Sequence, residues 1–199
     1  MSSTNLILDV CCGSLKMYKG MVESLIEAGD FITIDRRKGD FSYQNEGDFS
    51  KHTIIVKPKT LADMRFLPFK DGSMAGIFCD PPHLKCGEKS YTWKYYGSWS
   101  QDETIFHLRF VDLEFSRVLR DGGFLFLKIM KDREEIYRAM LKHFTFICPI
   151  QIERTRGTYQ NRKDNVDGAV WWIAQKAKAA RQVKAVAQLR FEPEVACIQ

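Results

Sequence analysis

The 199-residue sequence has no long hydrophobic run: its longest purely apolar stretch is Ala169–Ala174, far short of the ~20 residues that a membrane helix needs. The start, MSSTNLILDVCCG, has neither a charged n-region nor an apolar h-region. No secretory signal or membrane association is therefore read, and a cytoplasmic chain is expected. None of the six cysteines (Cys11, Cys12, Cys79, Cys86, Cys148, Cys197) forms a CxxC pair, which reads as reduced core or loop thiols. Cys79, His83 and Cys86 fall close together but match no common zinc-knuckle spacing and lack a fourth ligand, so no metal site is expected. Internal repeats and low-complexity linkers are missing as well.

What is present is an ordinary globular composition, 45% hydrophobic and 28% charged, in a length that suits one core. The formal charge of +5 is unevenly spread. Residues 1–150 carry 21 basic and 20 acidic groups, residues 151–190 carry nine and three, and residues 191–199 return two negative charges. A near-neutral body thus precedes a basic C-terminal portion.

Apolar strand-like runs alternate with helical patterns, which predicts an α/β sheet with crossover helices. Strands are expected at Leu6–Val10, Phe31–Ile34 (ending at Asp35), near Leu61–Ala62, and at Met74–Cys79, Phe124–Ile129, Phe144–Ile152 and Ala169–Ala174. The last is expected antiparallel to Phe144–Ile152. Phe41–Gln44 and Thr53–Lys57 are read as a small hairpin. Helices are expected at Leu15–Ala28, at Asp102–Leu119 with Asp102 as N-cap and Gly122-Gly123 ending it, at Arg133–Lys142, and at Gln175–Arg190. The core face of the second is read as Ile105, Leu108, Val111, Phe115, Val118 and Leu119. His52, His107 and His143 show no partner pattern.

Asp9 or its turn, Asp35 and Asp63 each fall at the carboxyl end of an expected strand, the edge where open parallel sheets bind ligands. Asp35, 22 residues beyond Gly13, is placed to accept hydrogen bonds from a ribose diol. The segments Leu8–Ser14 (LDVCCGS), Ile34-Asp35, Ala62–Phe69 (ADMRFLPF) and Cys79–His83 (CDPPH) together resemble class I S-adenosylmethionine-dependent methyltransferases. Asp80-Pro81-Pro82-His83 resembles the (Asp/Asn/Ser)-Pro-Pro-aromatic motif of enzymes that methylate exocyclic or amide nitrogens. With the following Gly-Glu-Lys-Ser segment and Tyr-Gly, the chain resembles small phage- and prophage-type DNA amino-methyltransferases over about residues 6–174.

The resemblance implies a Rossmann-like fold with a mostly parallel seven-stranded sheet and an antiparallel last strand. The methyltransferase domain would span 1–174, with a basic C-terminal helix and tail at 175–199. It also implies S-adenosylmethionine as cofactor: Cys11 and Gly13 at the methionine part, Asp35 on the ribose, Asp63 and Met64 at the adenine. Asp9 either holds the first turn through backbone amides or contacts the cofactor. Cys11 and Leu15 stand where the family commonly has glycine.

Asp80 and the Pro81 carbonyl would accept hydrogen bonds from a base amine, freeing its lone pair for in-line attack, and paired prolines hold those acceptors rigidly. His83 stands where an aromatic ring stacks on the base, which must first be flipped out of a duplex. Beyond it, Lys85, Lys89 and Lys94 interleave with Tyr91, Trp93, Tyr95, Tyr96 and Trp99, a pattern suited to phosphates and unstacked bases, and Lys128 reaches the same crevice. The expected activity is methyl transfer to an exocyclic nucleobase nitrogen, adenine N6 in DNA first, cytosine N4 or RNA next. A methyltransferase-like binding or regulatory subunit, or methylation of a protein amide or small molecule, are the alternatives. Nucleic acid is the expected partner, and the terminal helix is read as a face for nucleic acid, for the body of the protein or for a second subunit.

Overall fold

Ile7–Val10 (β1) is buried at Leu8, Asp9 and Val10, the continuous burial of a central parallel strand covered on both faces. The structure, a computed structural model, describes residues 5–12, 30–43, 52–82, 97–150 and 169–177. The helix expected at Leu15–Ala28, most of the loop expected at 84–101, the loop at 153–168 and residues 178–199 lie outside them.

The remaining strands are β2 (Phe31–Asp35), β3 (Gly39–Tyr43), β4 (His52–Val56), β5 (Thr60–Leu61), β6 (Met74–Cys79), β7 (Leu119–Met130), β8 (Phe144–Ile150) and β9 (Ala169–Lys176). Seven of the strands form one sheet in the order β5-β2-β1-β6-β7-β9-β8, and β3 pairs with β4 as a separate antiparallel hairpin. β5, β2, β1, β6 and β7 run parallel, while β9 runs antiparallel to both β7 and β8. The expected α/β architecture, mostly parallel with an antiparallel last strand, is therefore the one observed. The strand order reverses between β1 and β6, and such a switch point opens a crevice at the carboxyl ends of its two strands. Among the described residues no helix is long and apolar enough to cross a membrane.

Helix α1 (Gln101–Val118) covers the sheet with Thr104, Leu108, Val111, Asp112, Phe115 and Val118 buried. Ile105, expected among them, is only half-buried. Its N-cap is Ser100 rather than Asp102. Ser100 Oγ accepts from the Glu103 amide at 3.2 Å while Glu103 Oε2 accepts from the Ser100 amide at 2.6 Å, a reciprocal box worth on the order of 1 kcal/mol. The buried Asp112 accepts from the His143 backbone amide at 3.0 Å and faces His143 Nδ1 at 2.7 Å. His143 thus has a partner, and the pair ties α1 to the start of β8. Burial raises the Asp112 carboxyl above its ordinary range, with the His143 hydrogen bonds opposing that rise. Helix α2 (Glu134–Met140) follows a 3-10 turn at Lys131–Arg133 and buries Tyr137 completely.

Gly122-Gly123 does not end α1. The helix stops at Val118 because Leu119 already takes an extended conformation, φ −70° and ψ 134°, and pairs with Met74. The next pair is Gly76 with Phe124, so Arg120–Gly123 loop out of β7, with Gly122 at φ 74°. A Cβ on Gly123 would stand 2.9 Å from the Arg120 carbonyl oxygen and 3.2 Å from that of Ala75. Gly123→Ala is therefore expected to cost about 1–3 kcal/mol in urea unfolding; an unchanged midpoint would contradict this packing. A second correction falls at the other end: Gln175 and Lys176 extend β9 instead of starting a helix. Gln175 pairs with Phe124 on one side and Thr145 on the other, and two-sided pairing overrides helix propensity.

Candidate active site

Every described acid named from the sequence reaches the carboxyl edge of the sheet except Asp9, which sits 2% exposed within β1. Past β1, Cys11 takes φ 70°, a turn that glycine enters at no steric cost. Its thiol lies 3.9 Å from the Met64 sulfur, and the neighbouring Cys79 thiol together with burial raises it well above the ordinary range. Burial first, then the nearby carboxylates of Asp9 and Asp35, likewise raises the Cys12 thiol. These are protonated packing groups rather than nucleophiles.

Asp35 ends β2 at 4% exposure, and its Oδ1 accepts from the Arg37 amide at 2.8 Å and from Arg37 Nε at 3.3 Å. Asp63 follows β5 and repeats this construction. Its Oδ1 accepts from the Arg65 amide and from Arg65 Nε, each at 2.9 Å, and its Oδ2 accepts from the second fork nitrogen at 2.7 Å. That fork holds the Asp63 carboxyl below its usual range. Aspartate in each turn captures an amide two residues on, and an arginine at that same position closes over the carboxylate. The sequence reading missed this pairing, although Asp35-Arg36-Arg37 and Asp63-Met64-Arg65 carry it at fixed spacing.

Asp80 follows β6 directly. Cys79 pairs with Leu127, so the next position on β7, Lys128, lies beside Asp80. Lys128 Nζ donates to Asp80 Oδ2 at 2.7 Å, with the two side chains 27% and 12% exposed. Lys128 is thus a partner of Asp80. Pro81 and Pro82 continue the turn as buried residues. The chain returns at Gly97, where a Cβ would touch the Pro82 ring at 3.5 Å, and Arg133 pins the segment leading into α1. Its Nη1 donates to the Trp99 carbonyl at 3.1 Å and to Thr104 Oγ1 at 2.8 Å.

Cys11, Asp35, Asp63, Met64, Pro82 and Trp99 line one open cleft, together with Arg36, Arg37, Ala62, Arg65 and His107. Gly13, His83, Lys85, Lys89, Tyr91 and Trp93, all named as site residues from the sequence, lie outside the described residues. Among the described residues no group of three or more His, Cys, Asp or Glu is placed to hold a metal.

No protein-family profile and no curated protein matches the chain. Among solved structures it is similar to an S-adenosylmethionine-dependent methyltransferase from Methanosarcina mazei, 14% identical over 89% of this chain and 94% of that one, with TM-score 0.44. It is also similar to a Pyrococcus horikoshii OT3 protein, 12% identical over 89% and 84%, with TM-score 0.46. A third likeness is to the 16S rRNA (adenine(1408)-N(1))-methyltransferase from Catenulisporales acidiphilia, 9% identical over 88% and 89%, with TM-score 0.45. The fold itself is established by its strand order and strand directions, not by these likenesses.

Proposed function

We propose that the chain is an S-adenosylmethionine-dependent methyltransferase acting on an exocyclic amino nitrogen of a nucleobase, with adenine N6 in DNA as the first candidate. The observation that carries this reading is the placement of Asp80-Pro81-Pro82. It stands at the switch point, with the Asp80 carboxylate fixed by Lys128 and Pro82 lining a cleft shared with Asp35, Asp63 and Met64. The motif's resemblance to amino-methyltransferases supplies the reaction class.

The cleft suits an adenosyl group by its donor set. Asp35 offers acceptors for a diol, and Met64 and Trp99 offer apolar faces for a base. Asp63 Oδ2 accepts a hydrogen bond from Arg65 and, with its second lone pair, retains capacity for a base amine. The bound cofactor supplies an electrophilic methyl group on a sulfonium sulfur. The chain's own residues do the remaining work. Asp80 accepts from the substrate amine, Lys128 holds that carboxylate against rotation, and Pro81 and Pro82 fix the backbone that follows it. Orientation of this kind accounts for much of the barrier lowering in such transfers, because amine and methyl must meet in line. Attack of the amine lone pair on the methyl carbon breaks the sulfur–methyl bond and leaves a protonated product amine, whose proton passes to water.

A second reading, a binding or regulatory module with weak transfer, is favoured by one observation: the Asp35 and Asp63 carboxylates are already engaged by Arg37 and Arg65. Incubation with cofactor carrying a labelled methyl group, together with DNA and RNA, separates the two. The proposed enzyme places label in the nucleic-acid fraction. Cofactor binding with no label in nucleic acid would select the module, and label in protein or small molecules would move the acceptor.

A further inference from the structure

His107 was given no partner by the sequence, yet it lines the cleft and its Nδ1 stands 3.3 Å from Arg65 Nη1. A guanidinium only donates, so Nδ1 must accept. An imidazole accepting at Nδ1 is neutral and carries its proton on Nε2. The ring plane is set from two sides, by Trp99 at 4.6 Å between centroids and by Phe106 edge-on at 5.4 Å. Arg65 is itself fixed by its fork on Asp63. An unbroken series of contacts therefore runs from the acid after β5 through Arg65 and His107 to Trp99, beside the catalytic turn.

We propose that His107 is a ligand-binding residue of the cleft, its Nε2–H held by Arg65 to donate a hydrogen bond to an acceptor atom of the adenosyl group. This rests on the cofactor reading above and adds a residue and a pH dependence to it. The charged groups facing His107 are Arg65 and Asp63 from the turn after β5, Glu103 from its own helix, and Arg36 from the turn after β2. Burial and the Arg65 cation push the imidazole below its ordinary value; Asp63 and Glu103 oppose this and Arg36 adds to it. Protonation would make Nδ1 a donor facing a donor and set two cations together, so the arrangement exists only above the folded-state value, itself depressed. Affinity is therefore constant at neutral pH and falls as pH drops through and below the histidine range.

The test is calorimetric binding of S-adenosylhomocysteine between about pH 7.5 and about pH 5. Wild type is expected to lose about two- to tenfold in affinity across that range, the loss concentrated at its acid end because the imidazole is depressed. His107→Gln does not titrate there but keeps an acceptor and a donor in its amide, and is expected to bind within about threefold of wild type at the upper pH, with no loss in acid. His107→Phe keeps the ring contacts with Trp99 and Phe106 but has no donor, and is expected to bind roughly three- to tenfold more weakly at the upper pH, again with no further loss in acid. Wild-type affinity that is flat with pH overturns the proposal, as does acid loss that persists in the variants. Absence of binding at every pH overturns the cofactor reading and the proposal with it.

Discussion

Asp80→Ala is expected to lower methyl transfer by about 10²–10³-fold while S-adenosylhomocysteine binding is retained. The division follows from position. Asp35 and Asp63, the acids proposed to hold the cofactor, lie at the end of β2 and just after β5, on one side of the switch point, and line the cleft. Asp80 follows β6 across the switch and accepts a hydrogen bond from Lys128 at 2.7 Å. Truncating it removes the acceptor that orients the amine and the anion that faces Lys128, so the turn loses both direction and charge balance. Asp80→Asn keeps an acceptor oxygen and is expected to lose less. Single-turnover rates with calorimetric binding on the same samples check this. Loss of binding along with rate in Asp80→Ala would place Asp80 in the cofactor site and undo the assignment.

Asp35→Ala is expected to weaken S-adenosylhomocysteine by roughly 10- to 100-fold, the loss of hydrogen bonds to a charged acceptor. Asp35 is 4% exposed, so its desolvation is already spent in the folded protein and a diol meets a carboxylate that Arg37 has aligned. The variant also leaves the Arg37 cation in the cleft wall without the carboxylate that neutralises it. Asp63→Ala is expected to cost less binding, since Asp63 is 22% exposed and the Arg65 fork occupies much of its capacity. Titrations of both variants check the order; an Asp35→Ala protein binding like wild type would contradict the ribose assignment.

Much of the sheet was legible because its strands are apolar runs bounded by Asp, Gly and Pro, and because three acids recur at strand ends. β6 has the bounds read from the sequence, Met74–Cys79, and the hairpin of β3 with β4 forms as read, with Phe41 opposite Ile54. The departures have physical causes. Ser100 and Asp102 are both good N-caps, but only Ser100 has Glu three residues on, and that reciprocal bond decides the start of α1. Gly122-Gly123 marked a real turn, assigned to the wrong element because a loop inside a strand has no periodicity of its own. The ends of β7 and β9 depend on partners far along the chain.

The candidate site was legible in its acids, its proline turn and Lys128, which was placed at the same crevice, while the partners of its cations were hidden. Lys128 meets Asp80 across 48 residues and Arg65 meets His107 across 42; only strand register and helix placement bring them together. The arginine forks were readable, since Asp-x-Arg occurs twice at strand ends, and an aspartate turn presents its third residue's amide to the carboxylate. The basic surplus of residues 151–190 belongs to segments largely outside those described. Nucleic-acid recognition is therefore proposed from the motif and its neighbouring lysines and aromatics, not from overall charge.

Whether Asp80 presents a nucleobase amine for methylation is decided by nucleoside mass spectrometry. Mixed DNA and RNA would be incubated with protein and methyl-labelled cofactor, digested and resolved. The expected product is labelled N6-methyladenine from DNA, lowered by about 10²–10³-fold with Asp80→Ala. A labelled base carrying its methyl group on a ring carbon or ring nitrogen, or cofactor binding with no labelled nucleoside, would contradict that role for Asp80.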